Sequence, residues 1–255
     1  MEGAVPLAIE TLKDEPYASI ICYPKSDRAE LRKRLKELQK LQVKAVEFSG
    51  KKQVLNLPIL GKGCVGVVVK AYWKNEAVAM KIRRIDADRS MMRHEAEMLR
   101  KANSVQVGPQ FLAVSRDFLL MQFVDGVLLP EWLEKRRRKM RLRKVLRDIL
   151  EQCCRLDNAH VDHGELSHAP KHIIVDEKEM PFIVDFETAS VNRRPSNTTS
   201  ICQFLFLNSE TAGKIAEQLG QNDKKTVIEA LRQYKRKMSR ENFEKVLEVC
   251  GLQTT

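Results

Sequence analysis

The sequence predicts an α+β fold of two lobes, a small β-rich lobe and a reduced, mostly helical one, behind an N-terminal β-α-β extension. Three observations predict it. Apolar strand runs crowd residues 53–123, with one helical stretch inserted after the third run. Past Gly126 the apolar positions change to helical spacing. At 255 residues, 43% apolar and 31% charged, the chain can bury the cores of two lobes and is too apolar for disorder. The expected division is 1–52 for the extension, 53–121 for the first lobe and 122–255 for the second.

Residues 17–23, YASIICY, read as a strand ending at Pro24. Ser26 and Asp27 offer caps for a helix from about Arg28, with Leu31, Leu35, Leu38 and Leu41 on one face. VKAVEF at 43–48 is the extension's second strand, and SGKK its closing turn. Strands follow at 55–60, 67–73 and 76–82, the first two joined by a glycine-rich turn and the last two by Lys74 and Asn75. A helix over 88–102 carries Met91, Met92, Ala96, Leu99 and Ala102 on its inner stripe, and strands at 111–114 and 118–123 complete the lobe. Leu142, Val145, Leu146, Ile149, Leu150 and Cys153 mark a core helix. Runs at 173–175 and 181–184 form a hairpin that brings Glu165 and Asp185 to one end. After 201–207 comes a helical tail, capped at Asp223 and Ser239 and stopped at Gly251.

The net charge of +11 favours an anionic partner. Eight of the ten residues at 135–144, KRRRKMRLRK, are basic. This is either a solvated helix face or a surface for RNA or a ribosomal particle, gripped through phosphate because no aromatics interleave for base stacking. Six cysteines without CxxC spacing suit reduced thiols in a cytoplasmic protein. No apolar stretch is long enough to span a bilayer and no signal-peptide core opens the chain, so no membrane partner is expected.

Four features carry chemistry. Gly61, Gly63 and Gly66 form a G-x-G-x-x-G pattern followed by a strand rather than a helix, as in a hairpin whose backbone N–H groups can approach phosphate. Lys81 ends the strand run VAMK, and Glu95, favoured over Glu97 by the apolar stripe, is its candidate partner. Glu165 and Asp185 supply paired carboxylates of the kind that hold magnesium and orient a hydroxyl. His160, His163, His168 and His172 cluster near Cys153 and Cys154, but their spacing matches no zinc pattern.

In this order and spacing the glycine loop, VAMK, the helix glutamate, MQFVDG, HGEL and VDFE resemble the protein-kinase fold over about residues 53–190. HGE in place of HRD resembles the atypical branch: RIO kinases, the small kinase of the KEOPS complex and aminoglycoside phosphotransferases. The chain is also similar to a compact archaeal group of predicted serine/threonine kinases. The resemblance implies a bilobal kinase-like fold that uses ATP and Mg²⁺ on a protein acceptor with serine or threonine. It implies that Gly61, Lys62, Gly63, Gly66, Val68, Ala79 and Lys81 hold ATP, with Glu95 bracing Lys81. Met121 takes the gatekeeper place, and Gln122, Phe123 and Val124 the adenine hinge. Asp185 takes the metal-binding place, and Glu165 that of the catalytic base.

Several positions depart from the kinase pattern. Glu165 stands where kinases carry Asp, and Pro170 where a metal-binding Asn is expected, so that Lys171 or His172 fills that place after an insertion. Glu187 replaces the glycine after VDF, either as a further metal ligand or to stiffen the turn. No APE motif follows, so the peptide-docking platform is expected to be missing. Ser196, Thr198, Thr199 and Ser200 are either autophosphorylation sites or caps of a helix near Ile201. Three functions remain: a serine/threonine phosphotransferase, a RIO-type ATPase switch on RNA or a ribosomal particle, and a nucleotide-binding pseudokinase scaffold.

Overall fold

The computed structural model describes residues 5–88, 90–207 and 209–253. Two compact units emerge, Met1–Arg100 with Pro109–Phe123, and Lys101–Gly108 with Val124–Thr255. Residues 5–52, the described part of the extension, fall in the same unit as the strands that follow them.

The first unit is built on an antiparallel sheet. Its strands are β1 (Leu7–Ala8), β2 (Val43–Glu47), β5 (Gly61–Lys62), β6 (Gly66–Trp73), β7 (Glu76–Arg83), β8 (Phe111–Val114) and β9 (Phe118–Gln122), with a separate hairpin of β3 (Lys52–Val54) and β4 (Leu57–Ile59). The order is β1-β2-β6-β7-β9-β8, with β5 paired to β6. The strand expected at 55–60 is therefore a turn followed by β4, because Leu55 and Asn56 both take positive φ and close a tight hairpin. Lys74 and Asn75 do the same between β6 and β7, matching the right-handed twist of the strands. Val67, Val69 and Ala71 of β6 point to one fully buried face, and Val68 and Lys70 to the other.

The expected strand at 17–23 is instead a short helix, α1 (Tyr17–Ile21). Ala18, Ile20, Ile21 and Cys22 are all buried, and a run apolar on every side cannot be assigned to strand or helix by periodicity. The N–H groups of Ala18 and Cys22 donate to the carbonyls of Asp14 and Ala18, as a helical turn requires. The extension is thus strand, 3-10 helix, two α-helices, strand. Its second α-helix, α2 (Arg28–Lys40), begins as expected, with Asp27 accepting from the Glu30 N–H at 2.7 Å. Arg34 of α2 is fully buried; it donates to the carbonyls of Ile21 and Arg83 and lies 3.2 Å from Asp117, which also accepts from Arg83 Nε at 2.7 Å. The extension is bonded into the sheet.

A helix, α3 (Ser90–Ser104), starts two residues later than expected; Asp88 accepts from the Ser90 N–H at 2.8 Å, and Arg89 lies outside the described residues. The second unit pairs β10 (Gly126–Leu128), β11 (Ile173–Asp176) and β12 (Pro181–Ile183) in one antiparallel sheet. Its helices are α4 (Leu129–Trp132), α5 (Lys139–Asn158), α6 (Asn197–Cys202), α7 (Glu210–Leu219), α8 (Lys224–Arg236) and α9 (Arg240–Val249). Every core position expected on α5 is buried, and Gln152 donates to the Pro181 carbonyl at 2.7 Å, tying the helix to β12. Asp223 and Ser239 cap α8 and α9, and Gly251 takes φ +68 after α9. The basic run is not one helix face, since residues 135–138 precede α5. All six cysteines are free, and Cys64 alone of them is exposed. No helix among the described residues is long and apolar enough to cross a membrane.

Candidate active site

In the first unit the glycine turn lies between β5 and β6, closed by the Gly63 N–H donating to Gly66 O at 2.8 Å. Gly66 is required by the fold: a Cβ there would stand 2.7 Å from the Ile82 carbonyl oxygen. Gly61 is not, because a Cβ would only touch the Val68 side chain at 3.7 Å. Val68 pairs with Lys81, and Ala79 with Met121, so the alternation of β6, β7 and β9 sets these four residues on one face of the sheet. Lys81 is 3% exposed, and its Nζ lies 2.7 Å from Glu95 Oε2 of α3. Glu97 faces solvent, so the partner is the glutamate that the apolar stripe indicates. At the end of β9, Gln122 is held twice to Gln110: its N–H donates to the Gln110 carbonyl, and its side-chain oxygen accepts from the Gln110 N–H.

In the second unit the β11–β12 hairpin gathers the other residues. Val184 N–H donates to the His172 carbonyl at 3.0 Å, one step beyond the Ile173–Ile183 pair, so His172 and Asp185 meet at the open end. His172 Nε2 lies 3.1 Å from Glu165 Oε2 and 3.9 Å from Asp185 Oδ2. Lys171 is exposed while His172 is 1% exposed, so the imidazole occupies the interior where the sequence left two candidates. Burial pushes the His172 imidazole below its usual pKa, against the pull of Asp185 and Glu165, and favours the neutral form that binds metals. Neither its ring nitrogens nor Glu165 Oε2 has a hydrogen-bond partner of acceptable geometry. Buried polar atoms left this way are costly. One donor atom each from Glu165, His172 and Asp185 lie within 4.8 Å of one another, and this donor set fits a divalent cation.

The backbone around these residues is constrained. Asp185 takes φ +70, a conformation that costs a non-glycine residue about 1 kcal/mol and that recurs where function over-determines the chain. Gly164 takes φ +91, a conformation that L side chains rarely adopt, and a Cβ there would stand 3.2 Å from the Thr188 carbonyl oxygen. His163 is fully buried, close to Val184 O at 3.1 Å and edge-on to Phe186, and burial lowers its pKa to about 4. Sequence reasoning missed the frame around it. Arg193 pairs with Asp162 at 2.9 Å, and Asn197 accepts from the His163 N–H and donates to Asp157. These are ordinary polar residues at separations of about thirty to forty positions, with no local pattern to single them out. Ser196 precedes α6 without a side-chain cap, and Thr198 is fully buried beside Tyr234, so the expected capping role is not taken and Thr198 offers no accessible hydroxyl.

Residues 67–201, just over half of the chain, match the family model of the RIO domain. The span begins just after the glycine turn and contains Lys81, Glu95, Glu165, His172 and Asp185. The chain is also 31% identical over 118 residues to an uncharacterized protein of Methanocaldococcus jannaschii, covering 46% of this chain and 99% of that relative.

Proposed function

The chain belongs to the RIO domain family of atypical kinases, and from that premise we propose that it is an ATP- and Mg²⁺-dependent phosphotransferase acting on serine or threonine of a protein acceptor. One observation carries the reading: Lys81, almost fully buried, is paired with Glu95 at 2.7 Å. Taking both charges out of water costs several kcal/mol, of order the attraction gained, so the pair is poor as a stabilising device. It is well suited to aiming an ammonium at phosphate.

In this reading the first unit holds the nucleotide. Gly61 and Gly63 let backbone approach the phosphates, Lys62 flanks them, and Lys81 contacts them. Val68, Ala79 and Met121 provide an apolar face for adenine, and Gln122, Phe123 and Val124 its hinge. The openness around Gly61 supports this, since packing within the chain does not call for glycine there. The second unit handles metal and acceptor. Positive charge from bound Mg²⁺ would offset the negative charge that builds on the transferred group. Asp185 and His172 are its proposed ligands, and Glu165 takes the acceptor proton. The glutamate's extra methylene moves the carboxylate by about 1 Å, enough to slow transfer on the order of a hundredfold relative to an aspartate.

Incubating the full chain with labelled ATP, Mg²⁺ and a basic acceptor protein should label serine or threonine, and Asp185→Ala should abolish labelling. Absence of both transfer and hydrolysis with every divalent ion would leave only a nucleotide-binding scaffold, seen as ATP-dependent thermal stabilisation without consumption. A second reading, an ATPase switch on RNA or a ribosomal particle, is favoured by the exposed basic residues Arg136, Arg138, Lys139 and Arg141. It expects RNA-stimulated hydrolysis without phosphoprotein, and salt-sensitive RNA binding that charge reversal at Arg136 and Arg138 weakens.

A further inference from the structure

The sets of donors that hold Mg²⁺ are normally all oxygen, because that small hard ion keeps oxygen ligands and several waters. The donor set of the second unit is different. His172 brings a nitrogen between the oxygens of Glu165 and Asp185, and all three belong to one compact unit. Their spacing is informative. Two donors at right angles around an ion with bonds of about 2.1 Å stand about 3 Å apart, and two opposite donors about 4.2 Å apart. His172 Nε2 lies 3.1 Å from Glu165 Oε2 and 3.9 Å from Asp185 Oδ2, within that range. The short pair is not a hydrogen bond of acceptable geometry, and both atoms are buried. A shared cation satisfies both at once.

We infer that Glu165, His172 and Asp185 form a mixed nitrogen–oxygen site that prefers a first-row transition ion of the Mn²⁺ class to Mg²⁺ and loads it before nucleotide arrives. The preference follows from imidazole, which suits transition ions better than it suits Mg²⁺. The order of loading follows from three protein donors, which leave less for phosphate oxygens to supply. The inference rests on the proposed metal role of Asp185, and it turns Glu165 Oε2 toward the ion while the side chain as a whole remains 36% exposed to meet an acceptor.

The test uses the metal-free full chain without nucleotide, titrated with Mn²⁺ and followed by the loss of the free-ion electron paramagnetic resonance signal. Binding is expected to be at least about tenfold tighter than for Mg²⁺ in competition, and pulsed spectra should show coupling to an imidazole nitrogen. His172→Asn should erase that coupling and weaken Mn²⁺ binding by at least about tenfold, the lower end of what losing even a residue behind a ligand costs. Glu165→Gln, which preserves shape, should weaken it as well, and the wild-type nitrogen coupling needs no variant at all. No binding without nucleotide, equal affinity for the two ions, or nitrogen coupling that survives His172→Asn would overturn the inference. ATP turnover with Mg²⁺, measured separately, reads the proposed function: turnover with no Mn²⁺ preference sinks only the metal inference, and Mn²⁺ binding without turnover under any ion sinks only the phosphotransferase.

Discussion

The two units treat their charges in opposite ways. In the first, the opposite charges of Lys81 and Glu95 form a buried ion pair at 2.7 Å. In the second, His172 and Glu165 approach to 3.1 Å without a hydrogen bond, next to Asp185 held at φ +70. The first is a buried pair of opposite charges, so removing a member should be felt in stability. The second gathers three donors suited to a cation, so removing a member should be felt in binding and turnover.

The largest effect expected is at Lys81. Lys81→Met removes the cation 2.7 Å from the buried Glu95 carboxylate and should lower unfolding free energy by about 3–5 kcal/mol. Adding Glu95→Leu should recover most of that loss, and denaturant unfolding of the two variants measures it. A single variant as stable as the wild type would erase the contrast between the units. Next comes pH. His163, with its pKa lowered to about 4 by burial, is neutral in the folded chain and regains its ordinary value on unfolding. Its contribution is therefore present in full above about pH 6.5 and is lost as pH falls toward 4, at up to about 1.4 kcal/mol per pH unit. His163→Gln should flatten the difference in stability measured at pH 7 and pH 5. The glycines sharpen the comparison within one turn. Gly66→Ala drives a Cβ against the Ile82 carbonyl and should cost about 1–3 kcal/mol. Gly61→Ala should stay within about 0.5 kcal/mol of the wild type and weaken ATP instead, which calorimetry of both properties would separate. A small change in stability is also expected at Asp185. Asp185→Gly relieves the positive φ, so thermal unfolding should shift by less than about 1 kcal/mol while turnover disappears.

Much of this was legible in the sequence, and the exceptions have physical causes. Strand alternation with Lys74 and Asn75 marks the β6–β7 hairpin, and helical periodicity marks α5, because each buries one face and wets the other. Residues 17–21 bury nearly every side, so the pattern carried no period and the helix was missed. The stripe of Met92 and Ala96 identifies Glu95 correctly, since a helix face is a local property. The choice between Lys171 and His172 is not local; it depends on how the β11–β12 hairpin registers, and only His172 pairs its backbone with Val184. Glu165 reads as a base from its place after His163 and Gly164, but its second partnership, with His172 Nε2, spans a 3-10 turn and appears only in three dimensions.

The buried Arg34–Asp117–Arg83 cluster has a consequence for where this protein begins and ends as a folding entity. The recognisable family domain starts at residue 67. Arg34 reaches across to the Arg83 carbonyl and to Asp117 from a helix more than thirty positions before that start. A fragment cut at the family boundary would keep Lys81 and Glu95 yet strip the sheet of β2 and leave Asp117 short of one of its cations. The family domain and the folded unit that contains its first strands therefore have different borders, and the second begins earlier in the chain.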